Sequence, residues 1–282
     1  MLRRILCSLA LVALLPEAQA LDFYHSDDTL VARGRINFGD AARFEAELTD
    51  DVHRLLIRSE GGVVVEGLAI AELVAGHHLR VTVDGYCASA CAQYIFPAAA
   101  QREVIAGGVL LWHGAGPAMV DAWLEQAHRL QALGAPYQRL CAKLQSSVAV
   151  AEKFRQGEEA FNVRHGISAQ GVRNMDRLTA VEADAVSIDV DEAEGKFGLH
   201  YEHLPRCQMW LPDAAGLAEI GVQAAGYAPP NAQKLAALMH LPESAIYTGS
   251  LFDARSIEAQ CGVNIEGAAP VAGSSSVAGD RP

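Results

Sequence analysis

The sequence predicts an α/β fold made of βαβ units around a largely parallel sheet. Three observations carry that reading. From Leu21 to about Gly116, short apolar runs alternate with stretches of helical periodicity. Those helical stretches are long enough to carry the chain from one parallel strand to the next. With 282 residues and 51% hydrophobic side chains, the chain also has ample material for a core.

The elements follow in order. Thr29-Leu30-Val31-Ala32 and Gly34-Arg35-Ile36 read as extended, and Asp40 stands where an N-cap belongs, ahead of a helix from Ala41 to Leu48. Arg54 to Ile57 is a strand, Gly61-Gly62 a turn, and Val63 to Ala75 a helix. Leu79 to Val83 is the next strand, ended by Gly85 and followed by a helix from Ala88 to Phe96. Val109 to Trp112 is a short strand running into His113. Beyond it, apolar residues at helical spacing predict a long helix or helix pair from Met119 to about Ser147, continuing in more polar form to Gly166. Arg177–Val190 and Met209–Val222 each read as a strand or turn followed by a helix.

The first twenty residues have the layout of a secretory signal peptide: Arg3 and Arg4, an apolar run from Ile5 to Leu15, and Ala18-Gln19-Ala20 before the cut. The apolar run is shorter than the roughly 20 residues a spanning helix needs. The expected organisation is therefore a signal peptide over 1–20, the main domain over 21–225, a small C-terminal appendix over 226–267, and a disordered Gly/Ala/Ser/Pro tail over 268–282. The expected location is periplasmic or secreted, after cleavage at Ala20. Cleavage leaves Cys87, Cys91, Cys141, Cys207 and Cys261 in an oxidising compartment. An odd number leaves at least one thiol free or paired between chains. A helix from Ala88 would bring the Cα atoms of Cys87 and Cys91 to about 6 Å, within disulfide range, but on one face without good torsion, so free thiols are expected there.

The formal charge of −12 argues against nucleic acid as a partner. Three local features point to chemistry instead. Ser59-Glu60-Gly61-Gly62 follows a strand, where paired glycines let a ligand approach exposed N–H groups. Gly85 to Ala92 is nearly all small residues and sets Ser89 at a helix N-terminus. Leu110 to Gly116 places His113 at a strand end that opens into a glycine-rich loop. A weaker constellation, His200-Tyr201-Glu202-His203 with Cys207, has zinc-ligand spacing but matches no complete signature, and no metal or cofactor is expected.

Taken together, Ser-x-Gly-Gly after a strand, Gly-x-x-Ala-Ser-Ala, and an apolar strand ending in His resemble the proteolytic subunit of the Clp protease and its relatives in the crotonase-like superfamily. Cys87-Ala88-Ser89-Ala90-Cys91, then Phe96, Arg102 and His113-Gly114, is similar to exported Clp-like proteins of bacteria. The resemblance covers roughly residues 29–145 and implies a Clp-protease/crotonase-like spiral of βαβ units with a helical region. It implies Ser89 as nucleophile, His113 as general base, and the N–H groups of Gly62 and Ala90 as oxyanion hole. For the third member, Asp176 before Arg177-Leu178-Thr179 matches the family's acid. The closing segment Met209–Val222 matches about as well, and there no aspartate takes that place.

The implied function is an exported serine hydrolase, an ATP-independent peptidase acting on a peptide or small ester. The alternative is a catalytically silent binding or assembly module in the periplasm. No ATPase partner is expected outside the cytoplasm, and family members assemble into rings or trimers, which implies a homo-oligomer.

Overall fold

The alternating runs after Leu21 pair into one six-stranded sheet. The computed structural model describes residues 20–114, 128, 131–132, 134, 138–179, 186–191, 196–201, 205–224 and 226–265. The expected signal peptide, most of the segment 119–137, residues 202–204 and the tail lie outside them. Strands β1 (Asp22–Ser26) and β2 (Thr29–Arg33) form an antiparallel hairpin, turning at Asp27. From β2 the sheet continues in parallel through β3 (Arg54–Ser59), β4 (Arg80–Ala88) and β5 (Gln101–Val104). The crossovers are helices α1 (Asp40–Glu47) and α2 (Val64–Gly76). This is the expected α/β fold of βαβ units, with an antiparallel hairpin added at one edge.

Two local expectations are corrected. Asp40 does not cap α1; Gly39 precedes the helix at φ 89°, and the buried Asp40 carboxylate accepts from Asn37 N–H at 2.6 Å and pairs with Arg43 at 2.8 Å. The free Ala41 N–H is instead met by Glu66 Oε2 of α2 at 2.9 Å, so the cap comes from the neighbouring helix. Nor does Gly85 end its strand. The register passes from Ile57↔Val83 to Ser59↔Cys87, so β4 bulges over Asp84–Tyr86 and resumes. Arg58 holds the bulge, donating from Nε to the Asp84 carbonyl at 2.7 Å and from its terminal nitrogen to the Asp84 carboxylate at 3.0 Å.

The bulge gives β4 two partners on its far side. Its first half pairs with β5, and its second half, Tyr86 to Ala88, pairs with β6 (Val109–Leu111). The expected helix over Ala88–Phe96 is shorter and of another kind: a π-helical turn over Cys91–Ile95 followed by one turn over Phe96–Ala98. Leu55, Ile57, Val81, Val83 and Leu110 of the sheet pack under Phe44, Ile70, Val74, Tyr94 and Phe96 of the helical layer.

Helices α3 (Gln138–Arg164) and α4 (Ala169–Thr179) follow, then a hairpin of β7 (Val186–Asp191) and β8 (Lys196–Tyr201). As expected, Met209–Val222 is a strand, β9 (Met209–Trp210), followed by a helix, α5 (Ala214–Glu219). The remaining elements are α6 (Ala232–Leu238), β10 (Ile246–Tyr247), which pairs with β9, and α7 (Ala254–Cys261). They lie against β6: Leu235, Ala236 and Ile246 pack on Val109 and Leu111. The Leu110 N–H donates to Tyr227 Oη at 3.2 Å, and burial pushes that phenol up to about 12. No helix among the described residues is long and apolar enough to cross a membrane.

Candidate active site

Parallel strands β3, β4 and β6 all end on the same side, so the segments that follow them meet there. After β3, the buried Ser59 Oγ accepts from Gly61 N–H at 3.1 Å and so sets the Gly61-Gly62 turn. Ile36 N–H donates to Gly61 O at 2.8 Å, and Val63 N–H to Ile36 O at 2.9 Å. The Gly62 N–H takes no part in these bonds. The turn lies very close to the end of β4: a Cβ on Gly61 would lie 2.6 Å from Ser89 Cβ and 2.9 Å from Ala90 N. Only glycine permits that approach together with φ 84°.

Ser89 itself has φ 52°, a left-handed conformation unusual for a residue with a side chain. It redirects the chain from β4 into the π-helical turn. Its N–H donates to Leu111 O at 2.9 Å, and its carbonyl accepts from Gln93 N–H at 2.8 Å. The N–H of Ala90, in the first turn, falls outside the helical ladder. Because of the turn at Ser89, Cys87 and Cys91 do not lie along one helix face, and the expectation of free thiols is corrected. They form a disulfide with Cα atoms 5.3 Å apart, around the Ser89 turn. A second disulfide joins Cys207 to Cys261, which removes the Cys207 sulfur from the zinc-like set; no metal-binding cluster is present among the described residues.

After β6, Trp112 exchanges backbone hydrogen bonds with Trp210, at 2.9 and 2.6 Å, and their rings stack. His113 follows. Its Nδ1 lies 3.0 Å from the Gly114 carbonyl, which accepts only, so Nδ1 carries a proton and Nε2 is left to face the site. Gly114 N–H donates to Thr179 Oγ1 at 2.6 Å, and that hydroxyl donates to Met175 O. Asp176 does not precede a strand as expected; it sits in α4, and a Cβ on Gly114 would be 2.8 Å from its Oδ1. The structure thus brings Gly62, Ser89, Ala90, His113 and the buried Asp176 to one end of the sheet. It does not join Ser89 to His113 by a hydrogen bond.

Some of the site has no local signal in the sequence. Tyr94 Oη donates to Glu158 Oε1 at 2.6 Å in the interior, with Asp176 close enough to act on the same phenol. Burial raises the Glu158 carboxyl above its ordinary value, although the Tyr94 bond opposes the shift. A carboxyl raised on folding binds its proton more tightly in the folded state, so its contribution to stability is full below the usual glutamate range and is lost as pH rises through the folded value. Glu158→Gln keeps an acceptor for Tyr94 and removes the titration. Its melting temperature is expected to gain on the wild type from about pH 4.5 until the folded carboxyl has ionised, and to run parallel above that; curves parallel throughout in thermal melts would refute this.

No protein-family model and no curated protein matches the chain. Among solved structures, an enoyl-CoA hydratase from Mycobacterium avium subsp. paratuberculosis is similar at 12% identity, with a TM-score of 0.29, over 53% of this chain and 95% of that one. An enoyl-CoA hydratase from a Polaromonas species is similar at 10% identity, with a TM-score of 0.25, over 57% of this chain and 82% of that one. Scores this low assign no reaction to this chain. The expectation of a serine-type peptidase is nonetheless corrected by the geometry: no hydrogen bond joins Ser89 to His113, so nothing among the described residues activates the hydroxyl as a nucleophile. Of the resemblance drawn from the sequence, the arrangement of βαβ units stands on the parallel pairing of β2 to β6, and kinship with the Clp protease finds no support.

Proposed function

We propose that the protein is an enzyme that activates the carbonyl of a small acyl ester or thioester and moves a proton at the neighbouring carbon. The observation that carries this is the Gly61-Gly62 turn pressed against Ser89-Ala90 at the end of β4, which supports reading the Gly62 and Ala90 N–H groups as a pair. Such a pair stabilises negative charge on a carbonyl oxygen, and an enolate places its charge there. His113 is the base, and Asp176 lies beside the Gly114 backbone that follows it. Ser89 is the residue that turns the Ala90 N–H outward.

Incubation with small acyl thioesters of N-acetylcysteamine in deuterated water tests the reading. Deuterium is expected to enter the acyl group at the carbon next to the carbonyl. His113→Gln is expected to slow that exchange by about 10²-fold. Incorporation no faster than in buffer, across a panel of such esters and thioesters, would overturn it.

The proposed location is outside the cytoplasm, with cleavage after Ala20. Two disulfides support an oxidising compartment. Leu21 supports the cut, since its side chain is fully buried and its nitrogen lies 3.4 Å from the buried Asp40 carboxylate, where a new ammonium would be neutralised. A homo-oligomer belongs to the same proposal. Phe38, 81% exposed, is one apolar side chain an interface would cover, and a monomer mass by sedimentation would rule the assembly out.

A further inference from the structure

Behind the site, between the π-helical turn and α3, lies a cavity of about 20 Å³ lined by Gln93, Tyr94, Trp112, Glu158, Asn162 and Met175 among others. A single water needs about 10–15 Å³. Two polar atoms of that lining have no partner among the described residues: Gln93 Oε1, which accepts, and Trp112 Nε1, which donates. Their residues are 7% and 2% exposed, so bulk solvent does not satisfy them. Buried polar groups are almost always paired, and here the acceptor and the donor do not pair with each other.

We infer that one buried water joins these groups, accepting from Trp112 Nε1–H and donating to Gln93 Oε1. It fits the volume, supplies both complementary roles, and finds further polar neighbours in the carboxyl of Glu158 and the amide of Asn162. The placement gives the water a positioning role. Gln93 is bonded through its N–H to the Ser89 carbonyl, and Trp112 immediately precedes His113. The water therefore ties the turn that presents Ala90 N–H to the strand that presents His113. This goes beyond the proposed reaction and holds whatever the site turns over.

The test is water cross-relaxation at the indole N–H of the ¹⁵N-labelled, deuterated protein, with the Trp112 signal assigned by its loss in Trp112→Phe. A direct cross-peak from a long-lived water to Trp112 Nε1–H is expected, and none at Trp210, whose Nε1–H donates to Gly249 O at 2.9 Å. Gln93→Met keeps the bulk, removes the acceptor, and is expected to abolish the Trp112 cross-peak. No cross-peak in the wild type would overturn the inference, and that spectrum decides by itself if Gln93→Met does not fold. A cross-peak unchanged in folded Gln93→Met would overturn the bridge. Neither result depends on turnover of any thioester.

Discussion

Gly62→Ala is expected to yield no folded protein, or one destabilised by at least about 4 kcal/mol. The residue sits at φ 142°, and a Cβ there would overlap the Ile36 carbonyl oxygen. That oxygen accepts the Val63 N–H and is backbone, so it moves only if the bridge between the β2 extension and the Gly61-Gly62 turn breaks. Gly107→Ala is the control: φ is 83°, but nothing lies within 4 Å of its Cβ position. It carries the left-handed penalty alone, about 1–2 kcal/mol. Urea denaturation of the two variants checks the difference, and equal losses would show that backbone conformation, not overlap, governs both positions.

Removing the Cys207–Cys261 disulfide by a double alanine variant is expected to cost about 4 kcal/mol, because it frees a loop with a sequence separation of 54 in the unfolded chain. The Cys87–Cys91 bridge spans a separation of 4, for which chain entropy predicts about 2 kcal/mol. Denaturation curves of the two variants give the ranking directly. Should the short bridge prove the costlier, its contribution would come from holding the left-handed turn at Ser89 rather than from the unfolded state.

Strands β2, β3, β4 and β6 and helices α1 and α2 were legible because each is a local pattern: leucine, isoleucine and valine at strand spacing, then apolar residues at helical spacing. Strand β5, which reads Gln-Arg-Glu-Val, has no such pattern, and no strand is predicted there. That Gly62, Ser89, Ala90 and His113 follow the ends of strands was legible for the same reason, the nearest strands being β3, β4 and β6. What escaped the sequence is what distant residues decide. Gly85 reads as a terminator until Arg58, from the adjacent strand, bonds across the bulge. The cap of α1 escaped because Glu66 supplies it from another helix. Helical geometry predicts free thiols at Cys87 and Cys91, whereas the positive φ at Ser89 folds the two cysteines toward each other. Tyr94 and Glu158 are 64 residues apart, and no spacing rule links them. The reaction assigned to the site failed for a different cause: a motif fixes which residues are near one another, but not which of them exchange a proton.

The way the last third of the chain closes over β6 bears on the order in which the protein matures during synthesis. Arg102 donates to the Gln223 carbonyl across 121 residues, and Leu110 donates to Tyr227 across 117. The hairpin and the βαβ units through β3 and the first half of β4 have their backbone partners as soon as those strands leave the ribosome. The segment bearing His113 does not, since Trp112 waits for Trp210 and the strand beneath it waits for Tyr227. Contacts this remote in sequence form slowly and last. A nascent chain therefore orders its first strands and crossover helices well before the end of β6 and the turn at Ser89, which bonds to Leu111, are held in place.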